Sequence, residues 1–289
     1  QTLDAALNGK FAGVRVRHNS GAPGGGMSVN LRGVSTITGE TQPLYVIDGV
    51  IVNNAANQSG IDVVSAQIEG IPADVPYGSY GGSDDADNSG TLSYISIRHG
   101  GSLLGEGNEI NGLTLGGVGS GTSISYVEVV ANKDDGIEFF GGTVNATNLL
   151  VWGQGDDGLD IDQAYSGTVN NAAVIAEAAS DHGMEIDGPE GSAPGSFMLK
   201  NITLIGSMSA EDGEYNDNRK GATGTINGLL AYGFQSGKDF ELDAEADEDT
   251  FLAGDLVFQN FEVVVPDGDS LTGGQIFDAK ADRKSTRLN

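Results

Sequence analysis

The chain has 289 residues, no cysteine and a net charge of −27, from 14 basic and 41 acidic side chains. Without cysteine, the protein has no disulfides, no thiolate-bound zinc and no thiol catalysis. The negative charge argues against nucleic acid and anionic membranes as partners, and it favours divalent cations. No apolar run is long enough for a transmembrane helix, and 46 glycines without a three-residue period indicate a fold with many turns.

The first 55 residues have the pattern of a small α/β unit. Helical spacing near the start is followed by three alternating or apolar strands at Val14–Val16, Ser28–Gly33 and Gln42–Gly49. Up to residue 58 the segment is almost neutral, so the rest of the chain carries nearly all of the negative charge. The composition then changes to glycine and aspartate, which favour turns.

Four motifs in this segment resemble the plug of TonB-dependent outer-membrane receptors, in the branch that imports glycans with a surface lipoprotein partner. They are Ala6-Leu-Asn-Gly-Lys-Phe-Ala-Gly-Val14, Asn19-Ser-Gly-Ala-Pro-Gly-Gly-Gly26, Leu31-Arg-Gly-Val34 and Pro43-Leu-Tyr-Val-Ile-Asp-Gly-Val50. The resemblance implies an outer-membrane or cell-surface location and a link to nutrient or glycan uptake. The receptor's barrel does not follow in this sequence, so we do not expect this chain to form a pore.

From residue 91 onward a short apolar strand recurs, often opening with asparagine, at spacings of 17, 15, 22, 23, 30, 26 and 33 residues. In several repeats a second short strand follows the first, as in Gly136-Ile-Glu-Phe139 and Gly158-Leu-Asp-Ile-Asp162. Short strands with turns at this period, and no helix between them, predict a β-solenoid. We therefore predict an all-β chain, a right-handed parallel β-helix of about eight coils. Its inward residues are Ile137/Phe139, Leu159/Ile161, Met184/Ile186 and Phe240/Leu242, and an internal amide ladder is formed by Asn148, Asn171, Asn201, Asn227 and Asn260.

This part also resembles the β-helix surface proteins and lipoproteins of Gram-negative bacteria that lie near the pectin-lyase-like fold. The strings that carry the resemblance are Asp87-Asn-Ser-Gly-Thr-Leu92, Asn108-Glu-Ile-Asn-Gly-Leu-Thr-Leu-Gly-Gly-Val118 and Asp134-Asp-Gly-Ile-Glu-Phe-Phe-Gly-Gly-Thr-Val144. The resemblance implies a fold and a surface location more than a chemistry.

Tandem acids precede three of the second strands: Asp134-Asp135-Gly136, Asp156-Asp157-Gly158 and the related Asp181-His182-Gly183. Polysaccharide hydrolases on this fold use paired aspartates with a nearby histidine, and two carboxylates flanking a bond can act as acid and base. Asp156, Asp157 and His182 are therefore the alternative catalytic residues. The other interpretation is that Asp-Asp-Gly is only the turn before each strand, and its repetition on consecutive coils favours that.

A second set of acids occupies alternate, outward positions of the second strands. Stacked about 4.8 Å apart from coil to coil, they would repel one another, and a hard cation such as Ca²⁺ would relieve the repulsion. A solvated acidic face screened by salt is the alternative. The predicted metal ligands are Glu138, Asp160, Asp162, Glu185 and Asp187, with Glu241 and Asp243 continuing the rows.

Two further features bear on function and boundaries. Trp152 and Phe139-Phe140 could stack on sugars or could pack in the core. The last residues, Asp282-Arg-Lys-Ser-Thr-Arg-Leu-Asn289, resemble the translation of a sequencing-adapter read-through. The predicted segments are a plug fragment at residues 1–55, a junction and cap at 56–87, the β-helix at 88–280 and a non-native tail at 281–289. Whether plug and β-helix belong to one natural protein stays open.

We expect a non-enzymatic outer-membrane or cell-surface protein linked to TonB-dependent uptake, in which the β-helix binds a ligand such as a glycan. A surface lipoprotein is the partner that the plug resemblance implies. The alternatives are a polysaccharide lyase or glycoside hydrolase, and a purely structural or adhesive solenoid. No cofactor other than Ca²⁺ is expected.

Overall fold

A computed structural model describes the strands within residues 14–52, residues 66–68, 71, 78–81, 84–101 and 110–189, and residues 195–277. In chain order the first strands are β1 (Val14–His18), β2 (Met27–Leu31), β3 (Tyr45–Ile47), β4 (Val50–Val52), β5 (Ala66–Gln67) and β6 (Ser79–Tyr80). Long and short strands then alternate: β7 (Thr91–Arg98), β8 (Leu113–Gly116), β9 (Ser123–Val130), β10 (Ile137–Phe140), β11 (Asn145–Trp152), β12 (Leu159–Asp162), β13 (Thr168–Ile175), β14 (Met184–Asp187), β15 (Phe197–Ile205), β16 (Asn216–Arg219), β17 (Gly224–Tyr232), β18 (Phe240–Leu242) and β19 (Leu256–Val264).

The alternating strands form two parallel sheets, one of long and one of short strands. The long strands pair in the order β7-β9-β11-β13-β15-β17-β19, and the short strands in the order β8-β10-β12-β14-β16-β18. Each strand therefore pairs with the equivalent strand one coil away, which is a parallel β-helix. The predicted fold is confirmed, with seven long strands in the part of the chain that the structure describes.

The strands before residue 53 are antiparallel pairs, β1 with β2 and β3 with β4. β4 also extends the short-strand sheet, because Val50 pairs with Thr114 of β8. Residues that the sequence assigns to the plug fragment thus lie at the edge of the solenoid's sheet. The other residues of segment 1–55, much of the junction and the tail 281–289 lie outside the described residues.

Every long strand bends at one residue whose φ is positive. These residues occupy equivalent positions in successive coils: Tyr94, Tyr126, Asn148, Asn171, Asn201, Gly228 and Asn260, with φ between 52° and 81°. The bend interrupts the alternation of inward and outward side chains along the strand. Ala146 and Leu149 are therefore both buried, although they are three positions apart. We call these seven positions the bend column.

Asparagines in the bend column, or directly before it, form hydrogen-bonded pairs on the outside of the long-strand sheet, which corrects the predicted internal ladder. Asn171 Nδ2 donates to Asn148 Oδ1 at 2.6 Å, and Asn260 Nδ2 donates to Asn227 Oδ1 at 2.9 Å. Asn171, Asn201 and Asn260 are exposed. Asparagine is suited to this position because it tolerates the left-handed backbone region, which the strand pattern alone does not reveal.

The core lies between the two sheets and is continuous from coil to coil. The inward residues predicted for β10, β12, β14 and β18 are all buried. In β16 the inward positions hold amides instead, since Asn216 and Asn218 are fully buried. Asn218 Nδ2 donates to the carbonyl of Glu241 at 2.8 Å and Asn216 Nδ2 to that of Met184 at 3.3 Å, so backbone carbonyls of neighbouring strands accept from the amide nitrogens.

The glycine of each Asp-Asp-Gly turn packs against the next coil. A Cβ on Gly136 would lie 2.3 Å from Val151 Cγ1 and 2.6 Å from the carbonyl oxygen of Gly158. A Cβ on Gly158 would lie 2.5 Å from the carbonyl oxygen of Gly183. The repeated motif therefore has a structural role, as the turn interpretation predicts.

Two helices lie near the last coil, α1 (Glu245–Ala253) and α2 (Gly273–Ile276). Phe251 of α1 and Phe277 at the end of α2 pack on Phe240 and Phe258, with ring centroids 4.9 to 6.3 Å apart. This aromatic cluster covers the end of the core. Neither helix has the length or the apolar character needed to cross a membrane, and the rest of the described chain contains no helix that does.

Candidate functional site

The outer side of the short-strand sheet carries two rows of side chains, all acidic except His182, which together we call the acidic face. The strand row follows the register of the sheet, one residue per coil: Glu138, Asp160, Glu185, Asp217 and Glu241. The turn row lies two residues before each short strand and contains Asp135, Asp157, His182 and Glu214. Parallel pairing brings residues 22 to 32 positions apart into adjacent places.

The turn row is joined by hydrogen bonds from coil to coil. Asp135 Oδ1 accepts the backbone N–H of Asp157 at 3.0 Å. Asp157 Oδ1 in turn accepts the backbone N–H of His182 at 2.8 Å. The second aspartate of each tandem therefore fixes the following turn, which is a structural role that needs no ligand.

The imidazole ring of His182 also contacts the Asp157 carboxylate. Nδ1 lies 2.9 Å from Asp157 Oδ1 and 3.7 Å from Asp181 Oδ1. Burial alone would lower the pKa of His182, but the hydrogen bond and charge of Asp157, together with Asp181, raise the pKa to about 9. The imidazole is therefore a cation at neutral pH, held among carboxylates.

Asp156 lies at the exposed rim of the same group. Desolvation of its carboxyl and the charges of Asp157 and Asp181 raise the pKa of Asp156 to about 7. The structure thus brings together all three alternative catalytic residues, Asp156, Asp157 and His182. Oxygen or nitrogen atoms of Asp157, Asp181 and His182 lie within 4.8 Å of one another.

A buried, purely acidic group is formed by Asp135, Glu138 and Asp160, whose carboxylate oxygens lie within 4.8 Å of one another. Glu138 is 1% exposed and Asp160 6%. Burial, followed by the charges of Glu138 and Asp135, raises the pKa of Asp160 well above its usual value. Asp160 Oδ1 is buried and accepts no hydrogen bond. We call these three residues the carboxylate triad.

The remaining predicted metal ligands have other neighbours. The Arg219 guanidinium pairs with Glu185 and, through Nε, with Asp187 Oδ1 at 2.6 Å. Lys220 Nζ lies 2.6 Å from Asp187 Oδ2. Asp162 Oδ1 accepts the backbone N–H of Gln163 at 2.7 Å. The structure therefore places Glu138 and Asp160 together in the carboxylate triad. Glu185 lies beside Asp160 in the strand row but has Arg219 as a counter-charge. Asp187 is paired with Arg219 and Lys220.

Several acidic side chains on the outer side of the short-strand sheet are buried, unlike those of a solvated acidic surface. Glu138, Asp160, Asp162 and Asp187 are all buried, although each points outward from its strand. Ile68 and Tyr80, from the segment before the first coil, lie over Gly116 at one end of the face. Buried like charges at this separation need protons or a cation to be stable.

Sequence reasoning missed Asp135 as a triad member, Asp217 and Glu214 of the acidic face, and Arg219 as a counter-charge beside it. β16 reads Asn-Asp-Asn-Arg, without the apolar alternation that identified the other strands. The feature that could have identified β16 as a strand is its position in the sequence, one coil after Met184-Glu-Ile-Asp187. Of the aromatic candidates, Phe139 and Phe140 are buried, whereas Trp152 is exposed and donates from Nε1 to Glu177 Oε1 at 3.0 Å.

Comparison with protein families identifies one matching domain over most of the chain. A family described as "Pectate-lyase like beta helix domain" matches residues 47–284. The match therefore includes both parallel sheets and the acidic face. No solved structure matches the chain.

Receptors of the TonB-dependent class match a smaller part. The chain is 44% identical over 69 residues to the TonB-dependent receptor P26 of Formosa agariphila, covering 23% of this chain and 7% of that receptor. It is 48% identical over 48 residues to the TonB-dependent receptor SusC of Bacteroides thetaiotaomicron, covering 17% of this chain and 5% of that receptor. The chain thus spans less than a tenth of the curated relatives that it matches, and the predicted resemblances to both families are confirmed.

Proposed function

Because the chain belongs to the family of pectate-lyase-like β-helix domains, we propose that it is a non-enzymatic binding module of the outer membrane or cell surface. In this proposal it serves TonB-dependent uptake of a glycan, its acidic face binds Ca²⁺, and a surface lipoprotein is its partner. The similarity to TonB-dependent receptors supports the location and the link to uptake. The β-helix supplies the ligand-binding surface.

The carboxylate triad is the observation that carries the cation part of the proposal. Three carboxylates that are buried and within 4.8 Å of one another supply the oxygen ligands that Ca²⁺ prefers. Asp160 Oδ1, which is buried and accepts no hydrogen bond, adds an unused acceptor to the group. Asp135, Glu138 and Asp160 would hold the ion, whose charge would offset their mutual repulsion.

The test is a Ca²⁺ titration of the whole chain, by calorimetry and by melting temperature. Ca²⁺ that binds only the folded state stabilises it by about 2.7 kcal/mol at a hundredfold excess over Kd. We expect millimolar Ca²⁺ to raise the melting temperature beyond NaCl of equal ionic strength, and Asp160→Asn to remove most of the difference. Asp267→Asn, an exposed acid outside the acidic face, is the matched control. Equal stabilisation by Ca²⁺ and NaCl would refute the cation site.

A second candidate function, cleavage of a polysaccharide, is favoured by the group around His182. Asp157 holds the ring at 2.9 Å, and the pKa of Asp156 near 7 suits a group that exchanges protons at neutral pH. Two observations weigh against it: Asp157 already has a structural role in the turn, and equivalent turns recur in other coils.

We expect no reducing ends or unsaturated products when the protein is incubated with pectin, alginate or neutral glycans. Chromatography of the digests and a reducing-end assay provide the measurement. Product formation that is lost in Asp156→Asn and Asp157→Asn but kept in Asp134→Asn would establish an enzyme instead.

A further inference from the structure

A groove on the long-strand sheet lies away from the acidic face. Its cavity of about 360 Å³ is lined by bend-column residues on one side and by outward residues two positions later on the other: Tyr94, Tyr126 and Asn148, then Ser96, Glu128 and Leu150. We call it the tyrosine groove. It spans three coils, and none of its residues belongs to the acidic face.

The two tyrosines form an exposed aromatic stack. Their ring centroids are 4.7 Å apart and their planes differ by 3°, while Tyr94 is 78% exposed and Tyr126 49%. One face of Tyr94 therefore lies on its neighbour and the other faces solvent. Large exposed aromatic surfaces of this kind are typical of binding sites.

Folding alone does not account for tyrosine at these positions. Tyr94 and Tyr126 have φ of 55° and 54°, in a region that bulky side chains rarely adopt. The following coils place asparagine or glycine in the same column, as at Asn148 and Gly228, and both tolerate that backbone conformation. Strained backbone of this sort often marks a functional position.

Polar groups complete the groove beside the rings. Ser96 Oγ donates to Glu128 Oε1 at 2.6 Å, and the Arg98 guanidinium pairs with the same carboxylate. These hydrogen bonds and the arginine charge lower the pKa of Glu128, so it remains an ionised acceptor. Asn148, in the next coil, contributes an amide.

We propose that the tyrosine groove binds a neutral glycan chain, a reading that rests on the glycan-binding part of the proposed function. A sugar ring has an apolar face that packs on an aromatic ring, and hydroxyl groups around its edge that hydrogen-bond to carboxylates and amides. The net charge of −27 and the carboxylate of Glu128 disfavour acidic polymers. The groove runs from coil to coil, so it suits a linear chain.

Affinity electrophoresis of the whole chain in gels that contain starch, laminarin, xylan or galactomannan tests the proposal. We expect retardation by at least one of them, and a loss of affinity of about tenfold in Tyr126→Asn, because a stacking contact is removed. Asparagine is the residue that the bend column already uses, so this variant should melt at the same or a higher temperature. Tyr126→Phe should keep most of the affinity, and Tyr232→Asn, which changes another exposed tyrosine, should not alter it.

The outcomes separate the groove from the proposed function. Retardation that Tyr126→Asn leaves unchanged would refute the tyrosine groove while glycan binding stands. No retardation by any of the four polysaccharides would refute both the groove and the glycan part of the proposed function. A dimer in sedimentation velocity that Tyr126→Asn dissociates, without an effect on glycan retention, would show a contact between two copies instead.

Discussion

At Asn171 the backbone has a φ of 63°, and the side chain donates to Asn148 Oδ1 at 2.6 Å. Two effects therefore favour asparagine at this position: tolerance of the left-handed region and a hydrogen bond between coils. Alanine loses both effects, whereas glycine loses only the hydrogen bond. The left-handed conformation costs roughly 1–2 kcal/mol for an ordinary L-residue, and an exposed hydrogen bond contributes about 1 kcal/mol or less.

We expect Asn171→Ala to lower the free energy of unfolding by about 2–3 kcal/mol and Asn171→Gly by about 1 kcal/mol or less. Denaturation in urea, with both variants compared to the unchanged protein, measures this. If glycine destabilises as much as alanine, the hydrogen bond rather than the backbone conformation determines the residue.

The sequence predicted four asparagines of this column but placed them inside the β-helix, and it chose Asn227 where the bend lies at Gly228. The recurring asparagines marked a column, but a strand with strict alternation would turn them inward. A single residue with positive φ shifts that alternation, and positive φ is not visible in a polar–apolar pattern. The same limit applies to the acidic face: the repeat period predicted that Glu138 and Asp160 lie side by side, but it did not predict that both are buried.

At the scale of elements, the short strands and their preceding turns determine how closely the coils approach. The inward residues of β10, β12, β14 and β18 were predictable because apolar residues alternate there. β16 was not, since Asn216 and Asn218 fill its inward positions and only the stacked neighbours show that it is a strand. Parallel neighbours supply backbone carbonyls that accept hydrogen bonds from the two amide nitrogens.

The turn glycines are the sharpest test of this close approach. We expect Gly158→Ala to lower the free energy of unfolding by about 2 kcal/mol or more, because its Cβ would overlap Gly183 O and Val174 Cγ1 at 2.5 Å each. Gly274→Ala, where a Cβ meets nothing within 4 Å, is the control and should be close to neutral. Thermal melts of both variants suffice, and equal melting temperatures would contradict the packing role of Asp-Asp-Gly.

For the whole molecule, the acidic face couples stability to pH. The pKa of Asp156 is raised to about 7 and that of His182 to about 9, and burial raises the pKa of Asp135 and Asp160 as well. In each case the folded state binds its proton more tightly than the unfolded state. Their contribution to stability is therefore present at low pH and is lost as pH rises through the folded-state pKa.

In EDTA, we expect the melting temperature to fall between pH 5 and pH 9. One pKa unit corresponds to about 1.4 kcal/mol, so His182 gives a change on the order of 3 kcal/mol, and the exposed Asp156 gives less because solvent screens its charge. Asp156→Asn should make the fall below pH 7 shallower and leave the fall above pH 7 unchanged. A melting temperature that rises steadily from pH 5 to pH 9 would contradict the assigned pKa directions.

The regular stacking of coils has a kinetic consequence. Register pairs between successive coils join residues 22 to 32 positions apart, so closing each coil costs similar loop entropy. Folding can then begin in one pair of coils and propagate along the axis. Each added coil also brings a new carboxylate against the last one, so a bound cation or proton would speed this propagation as well as stabilise its product. The order in which coils become protected from hydrogen exchange during refolding would therefore depend on Ca²⁺.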